Sequence, residues 1–343
     1  MTSTRTAAGE LARDARSRGP VMVVGGAGYI GSHTVRLLEQ RGTPVIVLDN
    51  LSTGHRAAVK SPLEVVDLAD REALAAVFAR HRPASVVHFA AKCFVGESVA
   101  DPSKYWRENV LNTWHLLEAM RAAGSRDIVF SSTCATYGDP VEMPMTEDHP
   151  QAPISPYGRT KLAMEHMMQD YARAYGLRVA ALRYFNAAGA AQDGTIGESH
   201  DPETHLIPLV LDVAAGRREA ITVFGDDYDT PDGTCIRDYV HVEDLAEAHA
   251  SALAKLEAGM PSMAVNLGTG RGFSVLEVIE VARRVTGHAI ATKVAGRRAG
   301  DPPRLICGGT RARDLLGWVP ERGDLEVIVR DAWNFHRRHP RGL

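Results

Sequence analysis

Tyr157 and Lys161 stand four residues apart in Ser155-Pro156-Tyr157-Gly158-Arg159-Thr160-Lys161, a segment that opens a helical pattern and so puts both side chains on one face. A phenol with a pKa near ~10 is almost fully protonated at pH 7 and is a poor base. An ammonium on the next turn favours the phenolate and brings its pKa towards the working range, which makes a proton acceptor of an inert side chain. Thr133, reached through Ser131-Ser132 at the end of an apolar run, supplies a hydroxyl able to share a proton with a substrate oxygen and Tyr157. Alone, Tyr-x-x-x-Lys is an ordinary helix feature. Its meaning depends on what stands upstream.

Upstream, Val21 to Val24 runs straight into Gly25-Gly26-Ala27-Gly28-Tyr29-Ile30-Gly31, and an amphipathic helical pattern follows. Gly25, Gly28 and Gly31 permit a tight turn and a close backbone approach. A pyrophosphate can then sit on the helix N-terminus, where N–H groups and the helix dipole favour an anion. Asp49 ends the second strand 18 residues after Gly31, near the ~20 expected of a carboxylate that bonds an adenosine ribose. A charge there repels a 2′-phosphate, so the cofactor predicted is NAD rather than NADP. Asp67 and the run His88-Phe89-Ala90-Ala91 end the third and fourth strands on the same edge, where adenine and the nicotinamide ribose would lie. His88 itself reads as a packed strand residue.

The elements that must position these groups alternate from residue 20 onwards. Val21–Val24, Val45–Leu48, Leu63–Val66, Ser85–Phe89, Ile128–Ser131 and Val179–Leu182 are nearly continuous in apolar residues and read as fully buried strands. Helical patterns cover Tyr29–Gln40, Arg71–Arg80, Tyr105–Ala123 and Pro156–Tyr175. Right-handed crossovers wind such a chain into an α/β fold with a doubly wound parallel sheet, a Rossmann-like NAD domain over residues 20–185. Residues 1–19 read as a flexible tail. Residues 186–343 are richer in Gly, Pro and Asp and read as a smaller substrate-binding lobe of loops and short elements, from which Met263–Leu267 and Val275–Thr286 could return to the first domain.

Composition narrows the function further. The 343 residues carry a net charge of −3 with both signs spread along the chain, which gives no footprint for nucleic acid or anionic lipid. Four scattered cysteines without a CxxC pair argue against a disulfide framework, and 14 histidines without HxxxH or HExxH spacing predict no metal. With no apolar stretch of the ~20 residues a membrane helix needs, a cytoplasmic enzyme is expected.

The chain resembles the UDP-sugar 4-epimerases of the extended short-chain dehydrogenase/reductase family. The resemblance rests on GGAGYIGSHT, LDNLSTG, HFAAKCFVGESV, FSSTCATYGDP, SPYGRTK, LRYFNAAGA, FGDDYDTPDGTCIRDYVHVEDLA, NLGTG and RRAGDPPRL, which follow in order over nearly the whole chain. It implies an isomerase with a tightly held NAD. Tyr157 takes the proton of the sugar 4-hydroxyl, hydride leaves C4, the keto sugar turns over, and hydride returns to the other face. By the same resemblance Tyr29, Ile30, Asp49, Asn50, Asp67, Leu68, Phe89, Ala90, Ala91, Lys92, Asn109 and Phe185 line NAD together with Tyr157 and Lys161. Asn186, His205, Leu206, Thr222, Val223, Phe224, Arg237, Arg298, Asp301 and Leu305 hold the UDP-sugar with Thr133, and the forked donors of the two arginines suit a diphosphate. Relatives of this kind dimerise through the helices at 105–123 and 156–175. Three residues depart from the family pattern: Thr133 for serine, His205 for an asparagine, and Leu305 for tyrosine or cysteine beside the sugar. The last leaves UDP-hexose, UDP-N-acetylhexosamine and UDP-pentose open as substrates. A dehydratase is disfavoured because Cys134 and Ala135 stand where such enzymes carry an acidic pair. A non-catalytic dinucleotide sensor would have no need of Tyr157 and Lys161.

Overall fold

A computed structural model describes residues 19–298 and 301–343, so the tail expected over residues 1–19 lies outside the described residues apart from Gly19. The chain divides into two compact units, each assembled from three segments. Residues up to Ser132, with Thr160–Ala181 and His249–Met263, form one; Thr133–Arg159, Leu182–Ala248 and Ala264–Leu343 form the other.

The chain begins β1 (Val21–Val24), α1 (Tyr29–Gln40), β2 (Val45–Asp49), β3 (Leu63–Val65), α2 (Arg71–His81), β4 (Ser85–His88), α3 (Asn112–Ala123), β5 (Asp127–Thr133), α4 (Pro156–Tyr175) and β6 (Arg178–Tyr184). After β7 (Asn186–Ala188) come α5 (Leu206–Ala214), β8 (Ile221–Phe224), β9 (Ile236–His241), α6 (Val242–Glu257) and β10 (Met263–Leu267). The large sheet has the order β10-β6-β5-β4-β1-β2-β3. β1 pairs in parallel with β2 and β4, β2 with β3, and β4 with β5. Parallel strands covered on both faces are mostly apolar, and every residue of β1, β2 and β4 is buried, with polar side chains only at the strand ends, Asp49, Ser85 and His88. The strand order reverses between β1 and β4, so the crevice beyond their carboxyl ends is where such a sheet binds its ligand. The glycine turn leaves β1 at that point, and Phe89 and Ala90 leave β4.

Two details differ from the sequence reading. β3 lies at the sheet edge rather than inside it, with Val65 49% exposed, because no further strand covers that side. The single helix expected over Tyr105–Ala123 is a short helix Pro102–Tyr105, a wide π-helical turn Trp106–Leu111, and α3. The wide turn carries Asn109, fully buried, whose Oδ1 accepts from Lys92 N at 2.7 Å while Nδ2 donates to Lys92 O and Thr160 Oγ1 at 3.1 and 3.0 Å. One inserted residue aims this amide at the strand-end loop, a common use of a π turn.

The second unit is more regular than its composition suggests. Completed by β11 (Gly272–Ser274), α7 (Val275–Thr286), β12 (Thr292–Ala295), β13 (Arg304–Leu305) and α8 (Leu325–Arg338), it packs α5, α7 and α8 around Val210, Ile279, Ile328 and Trp333. Ser274 and Glu277 close a capping box at the start of α7, and Gly287 ends the helix in the left-handed conformation. β9 pairs in parallel with β7 and β13 and antiparallel with β11. Asp238 on β9 is fully buried, and its carboxylate accepts from Thr269 N, Thr269 Oγ1, Gly270 N and Cys307 N, which ties β9 to the chain beyond β10 and β13.

Candidate active site

The glycine turn packs closely against its own backbone. At Gly25 φ is +76°, and a Cβ would lie 2.5 Å from Ala90 N; at Gly31 it would lie 2.2 Å from Gly25 O. A larger residue at 25 would drive the turn from the end of β4, and one at 31 would drive α1 from the turn. A Cβ on Gly28 would meet only Gly25 O at 3.3 Å, so the space above it is open. Gly28 is the N-cap of α1 and brings no side-chain cap, which leaves the start of that helix suited to an anion.

Asp49 is buried and accepts from Ala27 N at 3.0 Å and Leu51 N at 2.8 Å. Burial raises its pKa and the two amides oppose the rise. Each oxygen keeps a lone pair, so the carboxylate can accept ribose hydroxyls while held in place. Asn50 Nδ2 donates to Asp67 Oδ2 at 2.7 Å, and Lys92 Nζ donates to Ser52 Oγ at 3.3 Å. Asp67 is further fixed by Ala69 N, and Leu68 is buried with its carbonyl bonded to His115. Asn50, Asp67 and Lys92 thus meet around the loops leaving β2, β3 and β4. Asn109 contributes by holding Lys92 rather than by offering a free amide. His88 is fully buried, its Nε2 3.0 Å from Thr113 Oγ1, and burial helped by Lys161 pushes its pKa down to about 3. It is neutral at pH 7.

Lys161 is 3% exposed, donates from Nζ to Ser131 O at 2.8 Å and lies 4.9 Å from the centre of the Phe130 ring. Burial pulls its pKa down to about 8, against the nearby Cys93 and Glu165. An ammonium has three donors, and ribose hydroxyls are the natural acceptors for those the chain does not engage. A turn further along α4, the buried Glu165 accepts from Ser132 Oγ at 2.5 Å and fixes the end of β5. Tyr157 precedes Lys161 by one turn on α4 and is half-buried. Gly158 must be small: a Cβ there would lie 2.4 Å from Ala135 O. Thr133 is buried, and its Oγ1 accepts from Ala135 N at 3.1 Å, which leaves the hydroxyl proton to donate elsewhere.

In the second unit, Asn186 Nδ2 donates to Asp238 O at 2.9 Å. Arg237 is paired with Asp301 and also bonds Ile236 O, so its guanidinium is oriented by the carboxylate. The Arg298 guanidinium lies 3.9 Å from the centre of the Phe224 ring. Thr222, Val223 and Phe224 form β8, paired with β12, and Leu206 opens α5. Leu305 sits on β13 opposite Arg237 and packs against a buried cluster of Cys134, Tyr137, Met145, Phe185 and Cys307. His205 Nδ1 lies between Glu198 and Glu203, at 2.8 and 2.9 Å.

Three groups escaped the sequence reading: Asp238 as an anchor, Glu165 behind Ser132, and Tyr137, whose hydroxyl donates to Asn266 Oδ1 at 2.6 Å and accepts from Arg183 at 3.0 Å. The i, i+4 step from Lys161 to Glu165 was the one local signal.

A glycine turn at the switch point of a doubly wound sheet defines a dinucleotide-binding fold, here with a buried lysine one turn from a tyrosine. Comparison with known proteins carries this further. The model of the NAD dependent epimerase/dehydratase family matches residues 21–268, and the chain belongs to that family. It is 52% identical over 323 residues to the UDP-glucose 4-epimerase of Halalkalibacterium halodurans, covering 94% of this chain and 97% of the relative. A crystal structure of UDP-glucose 4-epimerase from Brucella ovis in complex with NAD superposes with a TM-score of 0.90 at 51% identity, covering 92% of this chain and 98% of that one. The UDP-Glc/GlcNAc 4-epimerase of Campylobacter jejuni gives a TM-score of 0.82 at 41% identity, covering 93% and 99%.

Proposed function

We propose that the protein interconverts UDP-glucose and UDP-galactose by inverting C4 of the sugar, with NAD as its resident cofactor. The observation that carries this reading is the buried Lys161, held under β5 by Ser131 O one turn from Tyr157. The turn of Gly25, Gly28 and Gly31, with Tyr29 and Ile30 opening α1, holds the pyrophosphate. Asp49 takes the adenosine ribose, and Asn50, Asp67, Leu68, Phe89, Ala90, Ala91, Lys92 and Phe185 complete the cofactor's surroundings. NAD, when bound, supplies the acceptor and donor of hydride. Tyr157 Oη removes the proton of the sugar 4-hydroxyl and later returns it, while Thr133 Oγ1 holds the sugar oxygen in line and Lys161 keeps the phenolate stable. Arg298 and the Asp301-oriented Arg237 meet the diphosphate; Asn186, His205, Leu206, Thr222, Val223 and Phe224 surround the nucleotide. Protein purified without added cofactor should convert UDP-galactose to UDP-glucose, and its denatured supernatant should contain NAD or NADH. A supernatant holding only NADP(H), or activity needing stoichiometric external cofactor, contradicts the reading.

A second substrate class is favoured by Leu305, which is shorter than tyrosine and carries no phenol. It lies on β13 and packs against the cluster that contains Phe185 and Tyr137. Leu305→Tyr should therefore depress kcat/KM for UDP-N-acetylgalactosamine about 10-fold or more relative to UDP-galactose, the scale of a pocket difference worth ~1–3 kcal/mol. Equal effects on both sugars would show that residue 305 does not gate the pocket.

Among the described residues no helix is long and apolar enough to cross a membrane. The four cysteines are free thiols, which supports a reducing, cytoplasmic setting. Trp106 and Leu111 are each 45% exposed and Tyr175 59%, an apolar surface on the helices expected to dimerise, and the protein should run as a homodimer in light scattering.

A further inference from the structure

Glu198, His200, Glu203 and His205 bring one ligand atom each to within 4.8 Å of one another, well apart in sequence from the Tyr157–Lys161 helix. Two Glu-x-His steps, Glu198-Ser199-His200 and Glu203-Thr204-His205, deliver both carboxylates and both imidazoles to one point. We propose that these four side chains bind a divalent transition-metal ion, zinc by preference, which braces the segment leading into α5.

The distances fit such an ion. Zinc bonds to imidazole nitrogen and carboxylate oxygen run about 2.0–2.2 Å, so neighbouring ligand atoms of a tetrahedron stand roughly 3.3–3.5 Å apart. His205 Nδ1 lies 2.8 Å from Glu198 and 2.9 Å from Glu203; His200 Nδ1 lies 3.4 and 3.6 Å from the same two carboxylates. The His200 separations already match a tetrahedral edge, and the shorter His205 ones would open as the ion enters. Both histidines present the same ring nitrogen. The Glu198 and Glu203 side chains are only 7% and 14% exposed, so two carboxylates and two imidazoles are held together largely out of water, and a bound ion would take the place of the protons the imidazoles share with them. Two imidazoles among four ligands select a transition metal over Mg²⁺ or Ca²⁺, which take six or more oxygens.

The backbone under the cluster is fixed at both ends. Gly197 lies against Phe335 of α8 so closely that a Cβ would sit 2.5 Å from the ring, and Ser199 Oγ accepts from Leu343 N at 3.2 Å. His205 is the N-cap of α5, and its side chain, 42% exposed, leaves an entry for the ion. Sequence inspection missed the site because its histidines are five residues apart on a loop rather than four apart on a helix.

The test is calorimetric titration of tag-free protein, stripped with dipicolinate and dialysed, with zinc chloride, followed by thermal melts. We expect one zinc per chain, no comparable binding of MgCl₂ or CaCl₂, and a Tm rise of about 4 °C at zinc 100-fold above Kd. His200→Ala should weaken zinc binding at least ~100-fold, beyond the range seen for loss of a supporting group. The near-isosteric Glu203→Gln should weaken it in the same direction and serves if His200→Ala misfolds. Absence of one-to-one zinc binding, equal affinity in the parent and both variants, or equal binding of magnesium would overturn the proposal.

Discussion

Tyr157→Phe is expected to lower turnover by ~10²–10⁴-fold, the usual worth of a positioned general base, with UDP affinity nearly unchanged. The substitution removes one oxygen and keeps the ring, and the proposed diphosphate contacts come from Arg237 and Arg298. Affinity should be read by competition with UDP and turnover by chromatography of the sugar nucleotides. Near-normal turnover would remove Tyr157 from the chemistry. A parallel loss of UDP affinity would instead make it a binding residue.

Lys161→Met should separate activity from stability. In the folded chain burial holds the Lys161 pKa at about 8 against an ordinary 10.5. Below pH 8 both folded and unfolded chains carry the proton, and the fold bears the full cost of a buried cation, about 3 kcal/mol for a shift of this size. Between pH 8 and 10.5 the unfolded chain still holds the proton that the folded chain has released, so stability rises with pH across this window and the cost vanishes above it. Methionine fills the same space without charge. It gives up one hydrogen bond to Ser131 O, about 1 kcal/mol. For the cofactor-free protein at pH 7 the expected outcome is a Tm a few degrees higher, with turnover at least ~10²-fold lower because the phenolate loses its cation. A fall in both Tm and turnover would mark Lys161 as a packing residue.

The first half of the fold was legible because a parallel, two-side-covered sheet writes itself as uninterrupted apolar runs. α1, α4, β1, β10 and α7 have the bounds expected of them. The edge position of β3 was passed over, since Leu63, Val65 and Val66 suggest an inner strand and only the charged Glu64 among them marks the edge. The π turn at Asn109 was not legible, because it is set by a hydrogen-bond partner in a distant loop. α5 and α8 went unread, α5 because Pro208 interrupts its pattern, although Leu325, Ile328, Val329, Ala332 and Trp333 recur at helical spacing along α8 and pack in one cluster with α5. At the site, spacing along one helix or one turn was readable: Tyr157 to Lys161, and the glycine run. Contacts made by folding were not. That Arg237 and Asp301, both read as nucleotide ligands, are also bonded to each other was not readable, and Glu198, His200, Glu203 and His205 meet only in three dimensions.

In the proposed inversion, hydride removed from the sugar C4 returns to the same carbon without meeting solvent. UDP-galactose bearing deuterium at C4, turned over in ordinary water without added cofactor, tests it directly by mass spectrometry and proton NMR of the product. The account predicts UDP-glucose that keeps the deuterium at C4. Loss of the label to solvent would mean that the inversion proceeds by proton exchange, and the roles given to NAD, Tyr157 and Lys161 would not stand.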